Sequence, residues 1–176
     1  MATANSSKEE VFDTIIENVL ALCNLKKDDY TIVTSGIHNT FSTLDKCMIE
    51  VKTAYVAAAA LKKKALKYNG IGSMKFLIPA LNNMHVRDFM FTYLEPILQN
   101  EELMETVITF VLSGGDYEVT AGKLFIHRKT LRYRSNKVSE LLSPGKNFNE
   151  FYSDLSNAVK LYLASGINAE TEDESL

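Results

Sequence analysis

The sequence has little of what would mark a disulfide scaffold, a metal centre or a membrane span. Its two cysteines, Cys23 and Cys47, are too few and too far apart for a zinc knuckle or a disulfide framework. Free, buried thiols in a reducing compartment are expected instead. No apolar run approaches the roughly 18 residues that a membrane span needs, so no membrane partner is expected. The opening "MATANSSKEE" lacks the basic and apolar regions of a secretory signal, and the expected location is cytoplasmic. One absence is local. Residues 119–139 contain no Asp or Glu at all.

What is present is a globular composition, 46% hydrophobic and 23% charged, in 176 residues: one ordinary domain or two small ones. The chain carries −3, but Lys123, Arg128, Lys129, Arg132, Arg134 and Lys137 give 119–139 a charge of +6, leaving −9 for the remainder. A basic island in an acidic body can focus an anionic partner that the whole-chain pI of 5.7 would not suggest. The island also poses a question of placement. "IHRKTLRYRSNKV" reads as a helix whose first turn holds His127, Arg128 and Lys129, where the helix dipole favours anions.

Along the chain, Val11, Phe12, Ile15, Ile16, Val19 and Leu20 recur at helical spacing and predict an amphipathic helix ending near Leu25. Tyr30, Ile32 and Val33 are strand-type residues, stopped by Ser35-Gly36. Leu44, Met48, Val51, Tyr55 and Ala59 share one face of a long helix that ends in Lys62-Lys63-Lys64. "ALKYNGIG" predicts a second short strand and turn, and "SMKFLIPAL" a short helix closed by Pro79. The second half reads as entirely helical. "MHVRDFMFTYLEPIL" puts Phe89, Tyr93 and Leu94 inward and bends or ends near Pro96, and "NEELMETVITFVLS" puts Leu103, Val107, Phe110 and Val111 on one stripe. Gly114-Gly115 breaks that helix and Asp116 caps a short one over 117–124. A turn at Phe125-Ile126 leads into the basic helix, "SPGKN" ends it, and Phe148, Phe151, Leu155, Val159 and Tyr162 mark a final helix. The acidic end "AETEDESL" reads as a frayed tail.

A short helix, a turn and a second helix bearing cations is the helix-turn-helix pattern, whose second helix enters the DNA major groove. Ala121 is small where the helices cross, Leu124 and Ile126 fill the corner, and Leu131, Val138 and Leu142 share the buried side. At 100° per residue, Lys129, Arg132, Tyr133, Asn136 and Lys137 point away from that side, with Arg128 at its flank. Phosphates at the start of this helix would satisfy both its free N–H groups and its cations. Arg128, Lys129 and Arg132 are therefore candidates for reading bases, with Arg best matched to the O6 and N7 of guanine. Thr130, Tyr133, Arg134 and Lys137 are candidates for holding phosphates. His127 caps the helix or touches a phosphate. His38 and His85 lie elsewhere in the sequence, so no metal site is expected around it, and no cofactor is implied. A solvated basic surface helix is the plain alternative.

Other motifs read as structure. "SGGDYE" resembles a nucleotide-cyclase signature, but with helices on both sides it serves better as a helix stop plus cap. "GIGSMK" lacks the further glycine and lysine pattern of a phosphate loop. "YVAAAALKKK" is too short in its apolar part for a membrane surface helix. The paired carboxylates Glu9-Glu10, Asp28-Asp29 and Glu101-Glu102 have no histidine placed for acid–base work, so no catalytic residues are assigned and an enzyme is not expected.

The stretch "TAGKLFIHRKTLRYRSNKV", and most specifically "LFIHRKTLRYR", resembles the C-terminal helix-turn-helix of PucR/CdaR-type bacterial transcription regulators, and more distantly the DNA-binding helices of Fis. Upstream "FMFTYLEPILQNEELMETVITFVLSGGDYEVT" is similar to the family's lead-in helices and downstream "NFNEFYSDLSNAVKLYLA" to its terminal helix, so the resemblance covers roughly 89–164. Two positions depart from it: Lys129 stands where the family usually has Asn, and Ser135 where it usually has Leu. Ser135 therefore implies looser packing or a bond to its own i−4 carbonyl. More weakly, "YTIVTSGIHNTFSTLDKCMIEVKTAYVAAAALKKKALKYNGIG" is similar to the later part of the degenerate GGDEF-like domain of CdaR-type regulators. That implies a truncated regulator, or a fragment completed by a second copy, without the family's usual effector-sensing domain.

The expectation is an α+β, mostly α protein: a truncated α/β N-terminal region (1–83), an all-α helix-turn-helix bundle (84–166) and a disordered acidic tail (167–176), with the boundary near 82–87. The expected function is DNA-binding transcription regulation through a recognition helix at about 128–142. The implied partners are double-stranded DNA and a second copy, with half-sites whole helical turns apart and a bacterial nucleoid association when bound. No small-molecule effector is identifiable. The competing expectation is a protein–protein dimerisation module, a truncated regulator that modulates a full-length relative.

Overall fold

A computed structural model describes residues 2–23 and 30–173. Helix α1 (Ala2–Cys23) leads to strand β1 (Ile32–Thr34), helix α2 (Leu44–Ala60) and strand β2 (Ala65–Lys67). Six helices follow: α3 (Met74–Ala80), α4 (Met84–Leu98), α5 (Glu101–Leu112), α6 (Tyr117–Lys123), α7 (Arg128–Leu142) and α8 (Phe148–Asp173). The architecture is mostly α. β1 and β2 pair in parallel, Ile32 opposite Ala65 and Thr34 opposite Lys67. Parallel pairing requires a crossover, and α2 supplies it, packed against both strands. Among the described residues no helix is long and apolar enough to cross a membrane.

The core is one cluster running from α2 to α8. Helix α8 threads it, burying Phe151, Leu155, Ala158, Val159, Leu161 and Ala164 against α2, α3, α4 and α5. α2 meets α8 and α3 through Ala54, Ala57, Ala58 and Ala60. Small side chains there put little bulk between the packed helices. The alanine run is thus a packing surface as well as a source of helix propensity.

That choice of face corrects an expectation. The larger apolar stripe of α2 points outward, with Leu44 61% and Met48 54% exposed and Tyr55 also exposed. Val51 and Ala59 are half-buried. α1 behaves similarly: Val11, Ile15 and Val19 are exposed, and Ile16 and Leu20 half-buried. The Phe12 side chain and the expected helix end near Leu25 lie outside the described residues. Cys23, expected buried, is exposed at the end of α1; Cys47 is half-buried, and both are free thiols.

In the second half Leu94 is buried and Tyr93 half-buried as expected, but Phe89 is exposed, its place in the core taken by Met90 and Ile97. α3 ends one residue after Pro79 and α4 two residues after Pro96, as expected. The stripe of Leu103, Val107, Phe110 and Val111 is buried as expected. The α8 backbone continues through 167–173, and residues 174–176 of the expected tail lie outside the described residues.

Candidate nucleic-acid interface

The approach to α7 is built from local devices. α5 ends where Gly114 and Gly115 adopt φ of 69° and 80°, in the left-handed region where a Cβ is disfavoured. Gly115 has a second reason to be glycine, because a Cβ would sit 2.9 Å from the Tyr152 ring. Asp116 then caps α6, its Oδ1 accepting from Glu118 N at 2.8 Å and Val119 N at 3.0 Å. Tyr117 stacks edge-on against Phe110, which meets Tyr152 edge-on in turn, and this aromatic cluster fixes α6 on α5 and α8.

The turn between α6 and α7 closes with Phe125 N donating to Gly122 O and Ile126 N to Ala121 O. Phe125 sits at φ 53°, a left-handed conformation that a non-glycine side chain rarely takes, and its ring is 96% exposed. His127 caps α7, Nδ1 accepting from Lys129 N at 3.1 Å. Ala121 is buried at the crossing, Leu124 and Ile126 are half-buried in the corner, and Leu131 and Val138 are fully buried with Leu142 half-buried. Ser135 neither bonds its i−4 carbonyl nor sits loose. Its Oγ shares a 2.9 Å hydrogen bond with the Tyr117 hydroxyl, beside a void of about 10 Å3 lined partly by Leu131 and Leu155. At the far end, Tyr93 and Ser143 hydroxyls bond at 2.8 Å, joining α4 to the end of α7. Burial raises the Tyr93 pKa.

The cations divide into two groups. Lys129, Thr130, Arg132, Tyr133, Asn136 and Lys137 are exposed, and among the described residues none of those three cations is in an ion pair. Arg128 and Arg134 are held by the protein's own carboxylates. Arg128 Nη1 pairs with Glu118 Oε1 on α6, both side chains more than half exposed. Arg134 lies against α5, its side chain only 15% exposed, with Nη2 on Glu102 Oε1 and Nη1 donating to Thr106 Oγ1 at 3.3 Å. Arg134 was expected among the phosphate contacts; its guanidinium is instead committed to holding α7 on α5. Glu102, expected to be a solvated or dipole-matching charge, is its partner. The question raised by the cationic first turn has an internal half-answer: Glu118 supplies one carboxylate, to Arg128, and Lys129 is left to solvent.

Residues 103–165 match the PucR C-terminal helix-turn-helix domain. The match spans α6, the turn, α7 and the packing helices α5 and α8 on either side. A PucR-type helix-turn-helix belongs to the DNA-binding regulators, which accords with the outward cationic face. An uncharacterised protein of Haemophilus influenzae is 34% identical over 74 residues, 41% of this chain and 18% of that protein. The uncharacterised protein YsfB of Bacillus subtilis is 25% identical over 158 residues, 88% of this chain and 42% of that protein. The chain therefore spans less than half the length of either relative. No solved structure matches.

Three features around the PucR-type unit were not anticipated. Glu118 and Glu102 lie 10 and 32 residues from the arginines they pair with, so no local pattern announces them. Lys123 donates to Ser113 Oγ at 3.1 Å and links the end of α6 to the end of α5. Asn136 is exposed on the face that carries Arg132 and Lys137; its outward direction was foreseen, and a contact role was not assigned to it.

Proposed function

We propose that the protein is a sequence-specific transcription regulator that inserts α7 into the DNA major groove as its recognition helix. The observation that carries this reading is the solvent-facing row of Lys129, Arg132, Tyr133, Asn136 and Lys137, opposite the buried Leu131 and Val138. Arg128, Lys129 and Arg132 near the start of α7 read base edges. His127, Thr130, Tyr133 and Lys137 fix the register on phosphates. Arg128 reaches the groove by exchanging exposed Glu118 for DNA, an exchange that is inexpensive because solvent-exposed ion pairs contribute little. The regulator acts as a homodimer in the bacterial cytoplasm, with half-sites whole helical turns apart. Residues 1–83 are a partial GGDEF-like region, a reading supported by the parallel β1–α2–β2 unit at the expected positions.

Fluorescence-anisotropy titration across a salt series tests this. Log affinity should fall linearly with log salt, by a slope of about −0.9 for each phosphate that a cation of α7 neutralises, doubled for a dimer. A flat dependence, or no binding at low salt, favours the second reading, a dimerisation module that modulates a full-length relative. The specific observation behind that second reading is the exposed apolar face of α1 and α2.

A further inference from the structure

Helix α2 packs its alanines on the core and leaves a second face bare. Phe41, in the single turn that enters the helix, is 98% exposed, and Leu44, Met48 and Tyr55 continue the row along α2. At about 100° per residue, Leu44, Asp45, Lys52 and Tyr55 all fall within about 60° of Met48. Asp45 and Lys52 lie on one flank of that row, Leu44 and Tyr55 on the other. Both charged side chains are exposed, and among the described residues neither is in an ion pair; their neighbour Lys46 is the cation that approaches Glu50, at 4.0 Å.

These residues are spaced symmetrically about Met48. Asp45 stands three residues before it and Lys52 four after; Phe41 stands seven before and Tyr55 seven after. At about 1.5 Å per residue the two charges sit about 4.5 and 6 Å to either side of Met48. A second α2 laid antiparallel on the first is related to it by a two-fold axis perpendicular to both helices. With that axis at Met48, each flank stays on its own side. Asp45 then meets Lys52 of the second copy, Lys52 meets its Asp45, and each Phe41 meets a Tyr55. A parallel pairing would bring like charges to the same height, so charge selects the antiparallel one.

We propose that this face is the contact between two copies of this chain, α2 packed antiparallel on α2 about Met48. A two-fold contact uses the same patch on both subunits, so the patch must be complementary to itself. The bare face of α2 meets that condition in its apolar row and in its charges. Removing Phe41, Leu44, Met48 and Tyr55 from water drives association. The two Asp45–Lys52 pairs set direction and register, the part that flanking charges play between paired helices. The proposal rests on the homodimer reading above and names its surface, and it makes no use of α7.

The test is sedimentation velocity of the full chain without DNA, over a range of about 1 to 200 µM. The wild type should pass from monomer to dimer within that range. Met48→Asp sets two carboxylates against each other at the axis and should remain monomeric throughout. Lys52→Glu and Asp45→Lys each turn two attractive pairs into repulsive ones, and each should weaken the dimer about tenfold or more. The reversed pair, Asp45→Lys with Lys52→Glu in one chain, should return to within about threefold of the wild type. A dimer that survives Met48→Asp, or a reversed pair no tighter than the single variants, overturns this face and leaves the homodimer reading standing. A wild type that stays monomeric overturns both, and neither result bears on α7, whose DNA binding is measured in the salt series.

Discussion

In α7 the apolar side chains go inward and the cations outward; in α2 the small alanines go inward while Leu44, Met48 and Tyr55 go outward. Both helices are amphipathic, yet they solve opposite problems. α7 is finished in water: its N-terminus is capped by His127, Arg128 and Arg134 have carboxylates, and only a face suited to a polyanion is left open. α2 covers a core through residues that contribute little area each, and presents its larger hydrophobes to whatever lies beyond. Exposed apolar surface of this extent is the usual mark of a contact surface, whereas exposed cations are the mark of a site for charge. The C-terminal half thus leaves charge open to solvent, and the N-terminal half leaves apolar surface open.

The contrast can be broken by mutation. Leu131→Ala should lower stability by about 2–5 kcal/mol in urea unfolding, because Leu131 is fully buried between α7 and its supports. Leu44→Ala should change it by about 0.5 kcal/mol or less in dilute protein. A large, concentration-dependent effect of Leu44→Ala would mean that the α2 face is already covered by a second copy. On the DNA side, Arg128→Ala should weaken cognate binding by about 1–3 kcal/mol and relax preference at one base pair. Lys137→Ala should weaken all sequences alike and reduce the salt slope by about 1. Identical behaviour of the two variants would remove the distinction between base and phosphate contacts.

A third comparison concerns the buried polar group of the N-terminal half. Burial alone raises the Glu50 pKa, but hydrogen bonds from His38 and Gly36 and the charges of His38 and Lys46 outweigh it and leave it below its ordinary 4.5. A carboxylate whose folded pKa is depressed stabilises the fold above its unfolded pKa and loses that contribution as pH falls through the folded one. Glu50→Gln should therefore cost about 1–3 kcal/mol at neutral pH, and its stability gap to the wild type should close as pH falls below about 4.5 in acid-titration unfolding curves. An effect of the opposite sign belongs to the turn before α7. Phe125→Gly should stabilise by about 1 kcal/mol, since glycine takes the left-handed conformation without penalty and the exposed ring has little packing to lose.

Reading the sequence located α5, α6 and α7 almost to the residue, because each boundary carries its own chemistry: Gly114-Gly115 as a stop, Asp116 as a cap, His127 as a second cap. It also identified the buried side of α7 from the spacing of Leu131 and Val138. Periodicity could not say which side of α2 faces the core, since two adjacent faces were apolar and only the close approach of α8 selects the alanines. Arg134 and Arg128 looked equally available because their carboxylates are remote in sequence. The contact of Glu50 with Gly36 and His38 was invisible for the same reason: the partners lie 14 and 12 residues from Glu50, and the Ser35-Gly36 step read only as the end of a strand.

Because α8 passes through the shared interior and buries side chains against helices from both ends of the molecule, α7 and the helices that hold it have no seam along which they can be detached. Removing residues 1–83 would strip α2 and α3 from one flank of α8 and leave Ala158, Val159 and their neighbours in water. α8 packs on α2 and also on α4 and α5, the helices that hold α7, so a displacement of α2 has a continuous packed path toward α7.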